Sequence, residues 1–543
     1  MRKIVFFCAI GLLVVSLAGC SSSENPADGG SSDGGADGGV ATRPVTTVKA
    51  TVNPKLPLET QDTSKKADFG KYTMDGAGWP YVDRDDLGVK KSGTGTPKSF
   101  LYLGHMSDMH LVDFQSPDRV VKLSAPGLPG AFRPQEGYMV ATVDAMNRTF
   151  NDFSKFRKLD ALIVTGDGYD NDQYNEVRFL IDTMDGKTVD PNSGAYTYTG
   201  DGNMCAPVKA AGLDSSIPWY YIIGNHDELV QGNFLPVSRL KTPAQQATDM
   251  LTTEYYLKAV GTQSDAVITC QSKILAVDGL VAGTVTANPD RRTVTHNQSM
   301  KEFFTTSSLP SGHGLTQDCI DNDVANFTVD MTGVPVRIVF YETPYAGADG
   351  AGLTDKGYLS KATLDNFIKP ALDKAKTDGV LVVMASHHQS WGLASGSEVK
   401  AAELTALLSS YPNVVLHMVG HGHENGLKAH PSGNSDGTGY FEVEVPSMTD
   451  FPQQSKLVEF VDEGDGTGTI YMTSIDYESP EGSVPYKSRE LAITHIQMGI
   501  NTDTGLGDLN ERNVKLHFQI PTEVKAKLAA LPAKEVESLN FSK

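Results

Sequence analysis

Cysteine is scarce in this chain. There are 5 in 543 residues, and no two stand at the C-x-x-C spacing of a thiolate metal site. Positive charge is scarce too: Lys plus Arg total 46 against 66 Asp plus Glu, a net charge of −20. That balance excludes the usual nucleic-acid binder, which needs a basic face, so no nucleic-acid-binding surface is expected. It does not exclude a small anionic substrate, because a bound metal reverses the local field. There is no internal repeat. The apolar run Ile4–Val15 is too short for a comfortable membrane span. What is present is a globular composition, 39% hydrophobic and 21% charged, in a chain long enough for a large core.

The first residues read as an export signal. Arg2 and Lys3 precede Ile4–Val15, and Leu17-Ala18-Gly19-Cys20 follows, which resembles a bacterial lipobox with Cys20 as the lipid-modified residue. Residues 1–20 are then a signal peptide. The Gly/Ser/Asp-rich stretch that follows, within residues 21–50, cannot bury a core and reads as a flexible tether. The expected location is the bacterial envelope, lipid-anchored, with Ser21 favouring the outer membrane by analogy with Gram-negative sorting. The other expected boundaries are an N-terminal extension over 51–98, a main domain over 99–490 with an insertion at 229–333, and C-terminal strands and a helix over 491–543. With Cys8 removed and Cys20 lipidated, Cys205, Cys270 and Cys319 allow one disulfide; three pairings are open, with Cys270–Cys319 preferred.

From Ser99 onward one event repeats. FLYLGHMSDMH (Phe100–His110), LDALIVTGDGYDN (Leu159–Asn171), PWYYIIGNHDE (Pro218–Glu228), VLVVMASHH (Val380–His388) and NVVLHMVGHGH (Asn413–His423) each pair an apolar run of strand length with polar residues at its end. Between them, Met139, Val143, Met146, Phe150 and Phe153 step as one helix face. So do Tyr174, Val177, Ile181 and Met184, and Leu364, Phe367, Ile368 and Leu372, with Pro370 able to shift the last helix. Alternating strands and helices predict an α/β domain, whose ligands collect beyond the carboxyl ends of the strands. The strand ends deliver Asp108, His110, Asp167, Asn225, His387, His421 and His423, a carboxylate, imidazole and amide set suited to Mn, Fe, Zn, Co or Ni. Seven ligands are many for one catalytic ion and about right for two sharing a carboxylate, the clamp used on phosphate esters. In GHGH, Gly422 is expected to let the loop turn so that His421 and His423 point at different ions.

The ordered motifs D-x-H, G-D, G-N-H-D, H-H and G-H-x-H resemble those of the calcineurin-like metallophosphoesterases over about Ser99 to Tyr486. The resemblance implies a four-layer αββα sandwich of two mixed sheets with the metal site at strand C-terminal ends. It implies one ion on Asp108, His110, Asp167 and His423, and a second on Asp167, Asn225, His387 and His421, with Asp167 bridging. The two would be divalent or mixed-valence transition-metal ions. It implies hydrolysis of a phosphate monoester or diester by in-line attack of a metal-bridging hydroxide. His226 is then the residue that protonates the leaving oxygen or stabilises the phosphoryl charge, with Asp170 as its carboxylate partner. Within the superfamily, the purple acid phosphatases place a metal-binding Tyr where Asp170 stands, and the protein phosphatases follow the bridging Asp with Arg-Gly where Asn171 and Asp172 stand. The 5′-nucleotidases add a large C-terminal domain, whereas 120 residues follow His423 here. YFEVEV (Tyr440–Val445), KLVEFVD (Lys456–Asp462) and TIYMTSID (Thr469–Asp476) are expected as strands of the second sheet.

Other residues carry weaker signals. His105, His296, His313, His417, His430, His495 and His517 read as surface or satisfied core histidines. For His388 a bracing, a substrate-facing and a purely packed role all stand. Asp227 and Glu228 suit a helix cap or the site, and Arg119 suits a phosphate contact or an ion pair. The insertion reads as a cap over the site, the alternative being a decoration on a sheet edge. ITHIQMGI and VKLHFQI read as a final hairpin, with a helix near Thr522–Leu531. The rival functions are hydrolysis of another bond at the same ions and an envelope binding lipoprotein with a structural metal site; turnover discriminates the latter.

Overall fold

The computed structural model describes residues 42–116, 133–194, 206–233, 236, 264–266, 283–344, 355–433, 438–501 and 503–543. The signal peptide, Cys20, Arg119, Cys205 and Cys270 lie outside these residues. Two mixed sheets carry the fold. In chain order their strands are β1 (Val82–Arg84), β2 (Lys98–Met106), β3 (Ala161–Val164), β4 (Trp219–Tyr221), β5 (Phe327–Asp330), β6 (Val336–Phe340), β7 (Leu381–Ala385), β8 (Val414–Val419), β9 (Gly426–Pro431), β10 (Gly439–Glu444), β11 (Ser455–Asp462), β12 (Thr467–Ile475) and β13 (Val514–Gln519). One sheet has seven strands in the order β1-β13-β12-β11-β2-β3-β4, and the other has six in the order β5-β6-β7-β8-β10-β9. β2, β3 and β4 are parallel neighbours, as are β6, β7, β8 and β10.

Side-chain alternation builds the layers. On β7, Leu381, Val383 and Ala385 join the main core, while Val382 and Met384 face a second apolar cluster. That cluster is completed by Leu372 and Ala375 of one helix (Lys369–Asp378) and Leu404 and Leu408 of another (Ala401–Ser409). The seven-stranded sheet shares the main core with α1 (Met139–Ser154) and α2 (Tyr174–Met184). The face predicted for α1 holds: Val143, Met146, Phe150 and Phe153 are fully buried, each worth about 1.5–3 kcal/mol. Pro370 stands in the first turn of its helix, immediately after a π-helical turn over Leu364–Ile368, which absorbs the break. The result is an α/β sandwich of mixed sheets.

Several elements differ from expectation. All five motif-bearing runs are strands, yet β2, β3 and β4 lie in one sheet and β7 and β8 in the other. The ligand loops therefore come from both sheets. β10 joins the six-stranded sheet, but β11 and β12 join the seven-stranded one. ITHIQMGI is not a strand: it lies mostly in the helix Val484–Gln497, capped by Ser483 on Tyr486 N with Pro485 in its first turn. Ile493 and Ile496, three apart, are buried against Val52 and Tyr72. VKLHFQI is β13, paired with β12, and the helix Thr522–Ala529 follows. Cys319 is buried, and its expected partner Cys270 lies outside the described residues. Part of the 229–333 segment enters the body of the fold, with β5 at a sheet edge and Met300 and Phe303 in the main core. No helix among the described residues is long and apolar enough to cross a membrane.

Candidate metal centre

The loops after the strands are held in costly conformations. Ten non-glycine residues among those described have positive φ, and five are candidate ligands: Asp108 (52°), His110 (46°), Asp167 (50°), His421 (75°) and His423 (62°). The left-handed region costs an ordinary residue roughly 1–2 kcal/mol, and such strain gathers where function requires it. Interlaced backbone bonds hold the turns: Asp108 N donates to Gly166 O (3.0 Å) and His110 N to Asp167 O (2.9 Å). Beneath them the Asp227 carboxylate accepts from the backbone N–H of Asp167 (3.0 Å), Gly168 (3.0 Å), Tyr169 (3.2 Å) and Gly224 (2.7 Å), and from the Tyr221 hydroxyl (2.6 Å). Asp227 is thus a brace tying the G-D turn to the G-N-H-D turn.

Two clusters form above this brace. In the first, His423 Nε2 lies 3.2 Å from Asp108 Oδ1 and 3.2 Å from His110 Nε2. In the second, Asn225 Oδ1 lies 3.0 Å from His387 Nε2 and 3.1 Å from His421 Nδ1. Asp167 reaches both: its Oδ2 is 3.9 Å from His110 Nε2 and 3.1 Å from His387 Nε2. That oxygen is buried and ion-pairs with His387 in the ion-free chain, while Oδ1 accepts from His226 N at 2.8 Å. The outward ring nitrogens are taken: His110 Nδ1 by Asp170 Oδ1 (3.0 Å), His423 Nδ1 by Asp450 Oδ2 (2.7 Å), His387 Nδ1 by Thr165 O (2.6 Å). Donating outward leaves each inward nitrogen facing other acceptors, an arrangement that calls for a positive charge between them. In the ion-free chain protons supply it. Burial lowers every imidazole, but the Asp167 carboxylate outweighs it at His387 and the Asp108 carboxylate at His423, holding them at about 9 and about 10. At His110 and His421 burial wins, and they fall to about 4 and about 3. The donor chemistry fits two divalent transition-metal ions, and the His/Asp groupings are candidate sites for a dinuclear centre.

Beside the clusters, His226 Nδ1 meets Asp170 Oδ1 at 2.8 Å. The same oxygen takes His110 Nδ1, so one carboxylate serves both rings, which stand edge to face with centroids 4.3 Å apart. Gly232, at φ 65°, closes over His226: a Cβ there would come within 2.2 Å of His226 Nε2. Gly422 also differs from its expected role. The positive φ values belong to His421 and His423, and Gly422 is small because a Cβ would meet Glu444 Oε1 at 2.2 Å. The two histidines do point to different clusters, one through Nδ1 and the other through Nε2.

A family model for calcineurin-like phosphoesterases matches residues 101–425, more than half of the chain and all seven candidate ligands. The chain belongs to this family. Among solved structures, this calcineurin-like phosphoesterase is similar to a dimetal phosphatase from Danio rerio, at 10% identity and a TM-score of 0.34, over 70% of this chain and 100% of that one. It is also similar to a purple acid phosphatase from yellow lupin (Lupinus luteus) seeds, at 10% identity and a TM-score of 0.31, over 86% of this chain and 60% of that one. No curated protein matches.

The remaining residues take their places around the phosphoesterase centre. His388 packs its ring 4.2 Å from that of His421, with Nδ1 on Thr343 Oγ1 (2.9 Å) and Nε2 on Asp355 O (3.3 Å). Both its nitrogens have protein partners, and it also stands close enough to His387 and His421 to form a metal-binding grouping with them. His417 turns away onto Ser386 Oγ (2.8 Å), and His105, His430 and His517 meet Thr165, Glu442 and Asp83. His296 ties the helix His296–Glu302 to Glu342 Oε1 (2.9 Å), and His313 stacks on Trp219. Sequence reasoning missed Asp450, Arg133 and Gly232. Their only signal is spatial, since Asp450 sits 27 residues after the histidine it holds.

Proposed function

We propose that this calcineurin-like phosphoesterase hydrolyses a phosphate monoester or diester and is lipid-anchored in the bacterial envelope through Cys20. The observation that carries the catalytic reading is Asp167, whose buried Oδ2 faces both clusters. Asp108, His110, Asp167 and His423 would hold one ion, and Asp167, Asn225, His387 and His421 the other. Two such ions supply an acidified water and a positive clamp on the phosphoryl group.

The chain's own residues do the rest. Asp170 fixes the His226 ring through Nδ1, so that Nε2 is the atom left to hold the proton nearest the substrate. That proton is delivered to the leaving oxygen as the P–O bond breaks. The Asn225 amide is fixed by donating to Gly232 O (3.2 Å), which turns its oxygen to the second cluster. The anchoring half rests on Arg2, Lys3, the apolar run Ile4–Val15 and the Leu17–Cys20 lipobox.

The test is a panel of substrates on the metal-reconstituted chain: aryl phosphate monoesters and diesters, nucleotides and phospholipid head groups. Ion-dependent hydrolysis of at least one class is expected. Full metal loading without hydrolysis of any would leave a structural metal site.

A further inference from the structure

We propose that Asp450 is a positioning residue for His423, sets that ligand's orientation and tautomer, and is itself held for the task by Arg133 and Gln135. The inference rests on the reading of His423 as a metal ligand. Asp450 lies in the loop between β10 and β11, far in sequence from every motif. Its Oδ2 accepts from His423 Nδ1 at 2.7 Å and from Arg133 Nε at 3.1 Å, and its Oδ1 accepts from Gln135 Nε2 at 3.2 Å. Asp450 N donates to Ser447 Oγ (2.7 Å), which closes the turn. Asp450 and Arg133 are each 7% exposed and Gln135 is fully buried. The carboxylate therefore has one orientation, and it is aimed at the ring.

The same loop holds the other side of the cluster. Met448 N and Thr449 N both donate to Asp108 O, at 3.1 and 3.2 Å. One segment thus fixes two ligands of one ion against each other. A bare Arg133–Asp450 ion pair would not need this arrangement, and His423 is the nearer partner of the shared oxygen. A carboxylate on Nδ1–H leaves Nε2 as the ligating atom and strengthens it as a base; such partners are worth about 10–100-fold in metal affinity. His387, in the other cluster, has only the neutral Thr165 carbonyl in that place. The two ions are accordingly held by different means, and Asp450 acts on one.

The test is Asp450→Asn in the full chain, which keeps the shape and removes the charge. Zinc affinities are read by competition with a chelator, alongside thermal unfolding of the ion-free protein. We expect two ions in the wild type. In the variant one ion should weaken by about 10–100-fold and the other far less, with the ion-free melting curve little changed. Wild-type affinity for both ions in a folded variant overturns the proposal. Equal weakening of both, with a lowered melting curve, also overturns it, because that is a general structural role. A wild type that binds no ions would fail the metal-centre reading itself, a distinguishable result. If the variant does not fold, ¹⁵N-histidine spectra of the zinc-loaded wild type decide: His423 should show an Nδ1-bound proton shifted downfield by a carboxylate, and an Nε2–H tautomer overturns the proposal.

Discussion

Asp167 and Asp170 differ by three positions and do different work. Asp167 offers one oxygen to the backbone of His226 and the other to both clusters. Asp167→Asn should therefore cost more metal than a change at any other ligand. Metal analysis after dialysis checks this, and two ions retained per chain would reject the bridging role. Asp170 shares one oxygen between His226 and His110, so its removal should hit proton transfer and metal binding together. His226→Ala, by contrast, should keep both ions and lose about 10²–10⁴-fold in rate, chiefly with poor leaving groups. Metal content separates the two variants, and rates across esters of rising leaving-group pKa test the proton transfer itself. An equal loss for every ester would refute the proton-donor role of His226. At this scale the sequence was legible for the clustering of the seven candidate ligands, because each follows an apolar strand. Asp450 and Arg133 were not legible, because they meet His423 only through the packing of distant loops.

Elements explain why the ligands stay in place without metal. Asp227 gathers four backbone N–H groups and a tyrosine hydroxyl from two stretches of chain. Removing it strands buried donors at about 1–3 kcal/mol each. Asp227→Ala should lose several kcal/mol in chemical denaturation and with it the ordering of both turns; unchanged stability would contradict the brace. Helices and motif-bearing strands could be read from periodicity, since the periods of 3.6 and 2 leave a direct pattern of apolar residues. Sheet membership could not. β10, β11 and β12 look alike as runs, and which sheet each joins depends on partners remote in sequence. The stretch after Leu491 misled for a related reason: a short apolar run suits either element, and the deciding signal, Ser483 with Pro485, lies eight residues upstream.

At the scale of the whole molecule, location and metal loading can be measured on the intact chain. Cys20→Ala should leave a folded protein no longer attached to membranes, and a variant still in the salt-washed membrane fraction would reject the anchor. Ion uptake should be linked to pH with a definite sign. His387 and His423 stand at about 9 and about 10 in the ion-free chain, so at pH 7 both carry protons that an ion must displace. Affinity should rise with pH through this range and level off above it, with protons released into the buffer; calorimetry at pH 7 in buffers of different ionisation heat checks this, and no release contradicts it. The most direct test of the central claim is to titrate the ion-free chain with metal while following hydrolysis of a phosphate ester that it accepts. Activity should be absent without ions, reach its plateau at two ions per chain, and be lost in Asp167→Asn. Two tightly bound ions with no hydrolysis at any loading, or full hydrolysis by the ion-free chain, would contradict the claim.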